Sequence, residues 1–193
     1  MALELSTESY TLAPWANPLQ QARMREFNKR YRHKIHPNLK VIARCAREAG
    51  YTVESALVGS WRSMTNIEKM RSGKQLKIND VITTIRTLTG HSQVNPNYEG
   101  TYSHTIIRYK AVTDDGVNIF HQIIPTLPDR KFIVPNSDIR VAYFGEQQEG
   151  MGSIYVPTEL DNPRAKRPSK LDWSRYLDRW DLFEKIRLAN LAS

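Results

Sequence analysis

The sequence predicts an α+β protein, with N-terminal helices, an antiparallel sheet through the middle and second half, and a long amphipathic helix at the C-terminus. Three observations lead there. Residues 37–48 repeat their apolar positions with a helical period, residues 103–124 hold two runs of β-formers around an Asp-Asp-Gly turn, and residues 173–191 carry an aromatic stripe at helical spacing.

Residues 1–16, with Pro14 and Trp15, follow neither period and read as an extended arm. Asn17-Pro18 then supplies a cap and a proline at the first helical position, where its missing N–H costs nothing. The helix it opens runs to about Tyr31 and buries Met24, Phe27 and Tyr31. A second helix starts at His36-Pro37, with Gly50 placed for a left-handed exit. Its apolar set, Leu39, Val41, Ile42, Cys45, Ala46 and Ala49, takes one side. Lys40, Arg44 and Arg47 fall within about 60° of one another on the other side at 100° per residue.

Residues 53–58 read as a strand, residues 66–71 as a helical turn closed by Gly73, and the Ile-, Val- and Thr-rich run 76–88 as strand, although Asp80 equally fits a helix cap. A loop at Asn95-Pro96-Asn97 precedes the strongest β signal. Residues 103–113 and 117–124 are expected to pair as a hairpin around Asp114-Asp115-Gly116. Residues 132–134, 139–144 and 154–156 supply further short strands, with Pro125, Pro128, Pro135 and Pro157 between them. After a linker holding Pro163, Pro168 and the basic group Arg164, Lys166 and Arg167, Ser169 caps a final helix to about Leu191. Trp173, Tyr176, Leu177, Trp180, Phe183, Leu188 and Leu191 face one way on it, and Leu182 with Ile186 nearly the opposite way. The expected organisation is an arm over 1–16, one α+β domain over 17–157, and a linker with an interaction helix over 158–193.

At 193 residues, 40% of them apolar and 25% charged, the chain can fill one core and falls outside the disordered and fibrous classes. Its single cysteine, Cys45, has no partner for an internal disulfide, which fits a reducing compartment. The first residues lack the apolar run of a secretory leader, and no window reaches the roughly 20 apolar residues of a membrane-spanning helix. The expectation is a soluble, cytoplasmic protein, in a cell or within a viral particle, with no membrane partner.

The net charge of +8 is concentrated in one place. Between residues 21 and 47 stand nine cations, Arg23, Arg25, Lys29, Arg30, Arg32, Lys34, Lys40, Arg44 and Arg47, against one acid, Glu26. Taking these from 28 basic and 20 acidic residues leaves 19 of each sign elsewhere. Several cations on one surface are what phosphate neutralisation requires, so this segment is the candidate nucleic-acid-binding surface, with an acidic protein subunit as the competing partner. The connector between the two N-terminal helices, Arg32 to Pro37, is not the short glycine-containing turn of a helix-turn-helix.

Other chemistry finds little footing. His33 and His36 lie among cations that oppose metal binding, and the expected hairpin sets His121 opposite Tyr109 or Arg108, far from His104. Gly59-Ser60 and Asp80 lack the second carboxylate of a metal-dependent phosphoryl-transfer site, and Gly150-Met151-Gly152 is too short for a phosphate cradle. Cys45 has Arg44 and Arg47 near it in sequence but falls on the apolar side of its helix. No cofactor or metal is expected.

An apolar stripe on two sides of the last helix calls for two neighbours, and Trp and Tyr anchor interfaces. Trp15, Trp173, Tyr176, Leu177, Trp180, Phe183 and Ile186 are therefore the candidate contacts of a homo-oligomer. Together these features predict a non-catalytic, self-associating structural subunit of a nucleoprotein or a virus- or phage-like particle. A DNA- or RNA-binding regulator or replication accessory is the alternative, and a small phosphodiester-acting enzyme using His104 and His121 is the lesser one.

Overall fold

The computed structural model describes residues 37–56, 74–91, 100–113, 115–147, 149–162 and 169–192. The expected arm, the helix over 17–31 and the helical turn over 66–71 lie outside the described residues, as do Trp15, Arg23, Arg25, Lys29, Arg30, Arg32 and Lys34. The remainder is α+β, with a mostly antiparallel sheet.

Helix α1, Pro37–Glu48, forms where the apolar period predicts it. It ends in a Schellman motif around Gly50, whose φ of +88° a side chain would strain. The Gly50 N–H donates to the Arg47 carbonyl at 2.9 Å and the Tyr51 N–H to the Ala46 carbonyl at 3.0 Å. Strands β1, Val53–Ser55, β2, Gln75–Ile78, and β3, Val81–Leu88, follow as an antiparallel meander. The expected single run over 76–88 is thus split. Asn79 and Asp80, at φ +48° and +68°, make the left-handed pair of a two-residue hairpin turn, so Asp80 serves as a turn residue and caps no helix.

Strand β4, Tyr102–Arg108, and strand β5, Val117–Gln122, do not form the expected hairpin. Strand β5 instead runs parallel to β3, with Ile85 opposite Ile119, and its other edge pairs antiparallel with β6, Arg130–Pro135. Strand β4 pairs with β7, Met151–Pro157, in a separate two-stranded sheet. All six residues of β5 are buried, which requires neighbours on both edges and cover on both faces. Strand β4 exposes His104, Ile106 and Arg108, so it belongs at the surface. The order of the larger sheet is β1-β2-β3-β5-β6.

Residues 136–143, where a strand was expected over 139–144, form helix α2, Asn136–Tyr143. Pro135 blocks continuation of a β-ladder, and Asp138 sits in the first turn, where a carboxylate complements the helix dipole. Ile139 and Phe144 are buried among Ile107, Phe120, Phe132, Val134, Ile154 and Val156 on one face of the large sheet. The opposite face carries Ile78, Val81, Ile85, Val117, Ile119 and Ile133, covered by Leu39, Ile42 and Ala46 of α1. Each fully buried Ile in such a layer contributes on the order of 1.5–3 kcal/mol.

The C-terminal segment is not one continuous helix from Ser169. A short 3₁₀ turn, Trp173–Tyr176, is followed by Asp178 at φ +49°, and only Leu182–Ala192, helix α3, is α-helical. Between them Leu177 pairs antiparallel with Phe132 at the free edge of β6. The chain therefore crosses the sheet edge. Trp173 packs edge-to-face on Phe120 and Phe132, at 5.1 and 5.4 Å, in one core, while Phe183 is fully buried in the other beside Tyr51 and Trp180. The two-sided apolar pattern seen in the sequence is satisfied by this wrap, which also protects an exposed strand edge. Among the described residues, no helix is long and apolar enough to cross a membrane.

Candidate nucleic-acid interface

Helix α1 has an apolar back and a basic front because its sequence alternates the two with a 3.6-residue period. Leu39, Ile42, Ala43 and Ala46 are buried, whereas Lys40, Arg44 and Arg47 are exposed. Asn38 fixes the start of the helix from the side, donating from Nδ2 to Oγ1 of Thr87 on β3 at 2.5 Å. The cations therefore stand on a helix clamped to the sheet. Lys40 and Arg47 are two turns apart, which spreads the stripe over about 10 Å at 1.5 Å per residue.

Among the described residues their neutralisation is slight. Arg44 meets Glu48 at 3.8 Å with both side chains about 70% exposed, a contact worth little in water. Lys40 and Arg47 form no ion pair among the described residues. The cations of the C-terminal segment behave differently. Arg179 and Lys185 both hold Asp181, at 2.7 and 3.1 Å, and Arg187 holds Glu184 at 2.8 Å. These partners keep the Asp181 and Glu184 carboxyls below their ordinary range. Among the described residues, helix α3 is a self-neutralised surface and α1 is not.

Cys45 is half-buried at the flank of α1. The helical wheel sets it on the apolar side, and the structure leaves it at the edge of that side.

Of the aromatic candidates, Trp173 and Phe183 lie inside the chain's own cores, and Tyr176, Leu177, Trp180 and Ile186 are partly buried against those same cores. Tyr176 donates its hydroxyl to Oδ2 of Asp138 at 2.7 Å, and burial with that contact pushes its pKa up to about 12. The apolar surface left to solvent on α3 is Leu188 and Leu191, near its end.

Among the described histidines, His121 lies apart from the other two. His104 stacks on Tyr155 across the β4·β7 ribbon at 4.8 Å and, with His91, lines a hollow of about 350 Å³ beside Thr87, Thr89, Gly90 and Tyr102. His121 lies opposite Lys131, not Tyr109 or Arg108, and is buried with Nε2 2.5 Å from Oδ1 of Asp129. Burial lowers its pKa against the opposing pull of Asp129. Among the described residues no cluster of three or more His, Cys, Asp or Glu is placed to hold a metal ion.

Two polar features were not legible in the sequence. The His121–Asp129 contact joins strand to loop, and Arg86 is embedded beside Asn118. Their sequence signal is no more than a charged or imidazole residue inside a β-rich run, which fits an outward-facing position equally well. No family model, curated protein or solved structure matches the chain.

Proposed function

We propose that the protein binds nucleic acid through the basic front of α1, as a non-catalytic structural subunit of a nucleoprotein assembly. The observation that carries this reading is the contrast between two exposed helices. Lys185 and Arg187 on α3 are held by acids of the same chain, whereas Lys40 and Arg47 on α1 are unpaired among the described residues and Arg44 is only loosely held. Unpaired cations on a rigid support retain their full charge for phosphates and release counterions when they bind them.

A stripe of three cations about 10 Å long spans roughly three phosphates of one strand, at 3.4 Å per nucleotide along the helix axis. Such contacts position a protein on a backbone without reading bases. The reading therefore expects weak sequence preference and steep salt dependence. Six further cations, Arg23 to Lys34, precede α1 in sequence and add to the same charge.

Self-association rests on Leu188 and Leu191, exposed near the end of α3. The experiment is electrophoretic mobility of single- and double-stranded probes with the wild-type chain and with Lys40, Arg44 and Arg47 all replaced by Glu, alongside mass in solution. Loss of binding in a folded triple variant supports the reading, and retained affinity rejects it. A monodisperse monomer that still binds would favour the regulator or replication-accessory reading over the assembly subunit.

A further inference from the structure

Strand β3 ends at Leu88, and the chain leaves the large sheet there to reach β4. Beyond the end of β3 lies the hollow of about 350 Å³. Tyr102, fully buried, supplies its floor, and Thr89, Gly90 and His91, all exposed, supply its rim. Apart from chain neighbours, no described atom lies within 4 Å of where a Cβ on Gly90 would stand, so the backbone at the rim faces open space.

His104 forms one wall. Residues alternate along β4, so His104 shares the Tyr102 side of the strand. The β4·β7 register sets it opposite Tyr155, and the two rings stack at 4.8 Å with 24° between their planes. Tyr155 is half-buried and His104 exposed, and of the pair it is His104 that lines the hollow. The imidazole is thus backed by the phenol ring on one face and presents the other toward the hollow. A ring already held in place loses little freedom when a second ring stacks on it.

The other wall leads to α1. Thr87 lines the hollow, and its Oγ1 accepts from Nδ2 of Asn38 at 2.5 Å. Asn38 is the second residue of α1, and Lys40 follows about 3 Å further along the axis at 1.5 Å per residue. The hollow therefore adjoins the end of the helix at which the basic front begins.

We propose that the hollow takes one unpaired base of a single-stranded nucleic acid, stacked on His104, while the phosphates of the same strand continue onto Lys40 and the basic front of α1. Every base offers a planar π face to the imidazole, so the stack carries little sequence preference. The edge of the base meets the Thr89 hydroxyl and the His91 ring at the rim, groups that both donate and accept. The volume is at the low end for small-molecule sites, about 300–1,000 Å³, which suits one ring system. Paired bases stay stacked on their neighbours in a duplex and do not enter. The ligand class rests on the nucleic-acid reading of α1, whereas the stacking wall is a separate observation.

The test is fluorescence anisotropy of the full chain with a labelled short oligodeoxyadenylate and with an abasic strand of equal length and charge. The base-bearing strand is expected to bind about fivefold or more tighter, the lower end for one base–aromatic stack. His104→Ala is expected to remove that preference and leave the abasic affinity unchanged, whereas His104→Phe, which restores a ring, keeps it. His104 is exposed, so both variants leave the cores intact. Equal binding of the two strands, a preference kept in H104A or lost in H104F, or a free nucleoside monophosphate that competes as well as the strand would overturn the proposal. Replacing Lys40, Arg44 and Arg47 by Gln is expected to weaken both strands alike. A fault in the helix reading therefore shows as unchanged affinity in that variant, a fault in the hollow as equal affinity for the two strands, and a chain that binds neither strand overturns both.

Discussion

Nε2 of His121 lies 2.5 Å from Oδ1 of Asp129, while Nδ1 of the same buried ring has no hydrogen-bond partner among the described residues. Desolvation is the larger influence and lowers the pKa, opposed by Asp129 and Asp178 and reinforced by Lys131. The folded imidazole is therefore held neutral. A group whose folded pKa lies below its unfolded value of about 6.5 takes up its proton first in the unfolded chain, so its contribution is intact above that pH and fades on acidification. Thermal melting between pH 5 and 8 is expected to show stability falling below about pH 6.5, with a shallower fall in His121→Gln. Parallel curves for the two proteins would mean that the folded ring titrates normally.

A Cβ built on Gly116 would stand 2.6 Å from Nδ2 of Asn136 and 3.0 Å from the Ile82 carbonyl. Glycine is required there by close approach, since Asn136 must reach the Thr113 carbonyl past it. Gly116→Ala is expected to cost about 1–3 kcal/mol in urea denaturation, the range for overpacking a filled interior. A neutral outcome would show that the 113–118 corner gives way freely.

Trp173 is 1% exposed and contacts both Phe120 and Phe132, whereas Leu191 is 73% exposed. Trp173→Ala is expected to destabilise by about 3–5 kcal/mol and Leu191→Ala by less than about 0.5 kcal/mol. Chemical denaturation curves across a hundredfold range of protein concentration check this. A concentration-dependent loss for Trp173→Ala would place the ring at a contact between copies instead of inside one chain.

What the sequence made legible were elements whose cause is local. Helix α1 follows from the spacing of Leu39, Ile42 and Ala46, and its end from Gly50, because both depend on neighbours within a turn. The basic front follows from the same geometry. The β4–β5 hairpin failed because Asp-Asp-Gly is a good turn at any junction, whereas the burial of all six β5 residues depends on β3 and β6, which no turn residue announces. A short apolar run such as 139–144 fits strand or helix, and Pro135 and Asp138 were the cues that decide it. The C-terminal stripe was read as one helix because Trp173, Tyr176, Trp180 and Phe183 keep helical spacing. The break at Asp178 comes from Leu177 pairing with the β6 edge, a contact 45 residues away in sequence. Arg86 and His121 escaped for the same reason, since their surroundings assemble only in the folded chain.

The central claim is that Lys40, Arg44 and Arg47 neutralise phosphates, and the salt dependence of binding tests it most directly. The slope of log affinity against log salt for duplex DNA is about 0.9 per phosphate neutralised. Replacing all three residues by Gln keeps the helix and its apolar back while removing three cations, so the slope is predicted to fall in magnitude by about 3. An unchanged slope in the folded variant would contradict the account and move the contact away from α1.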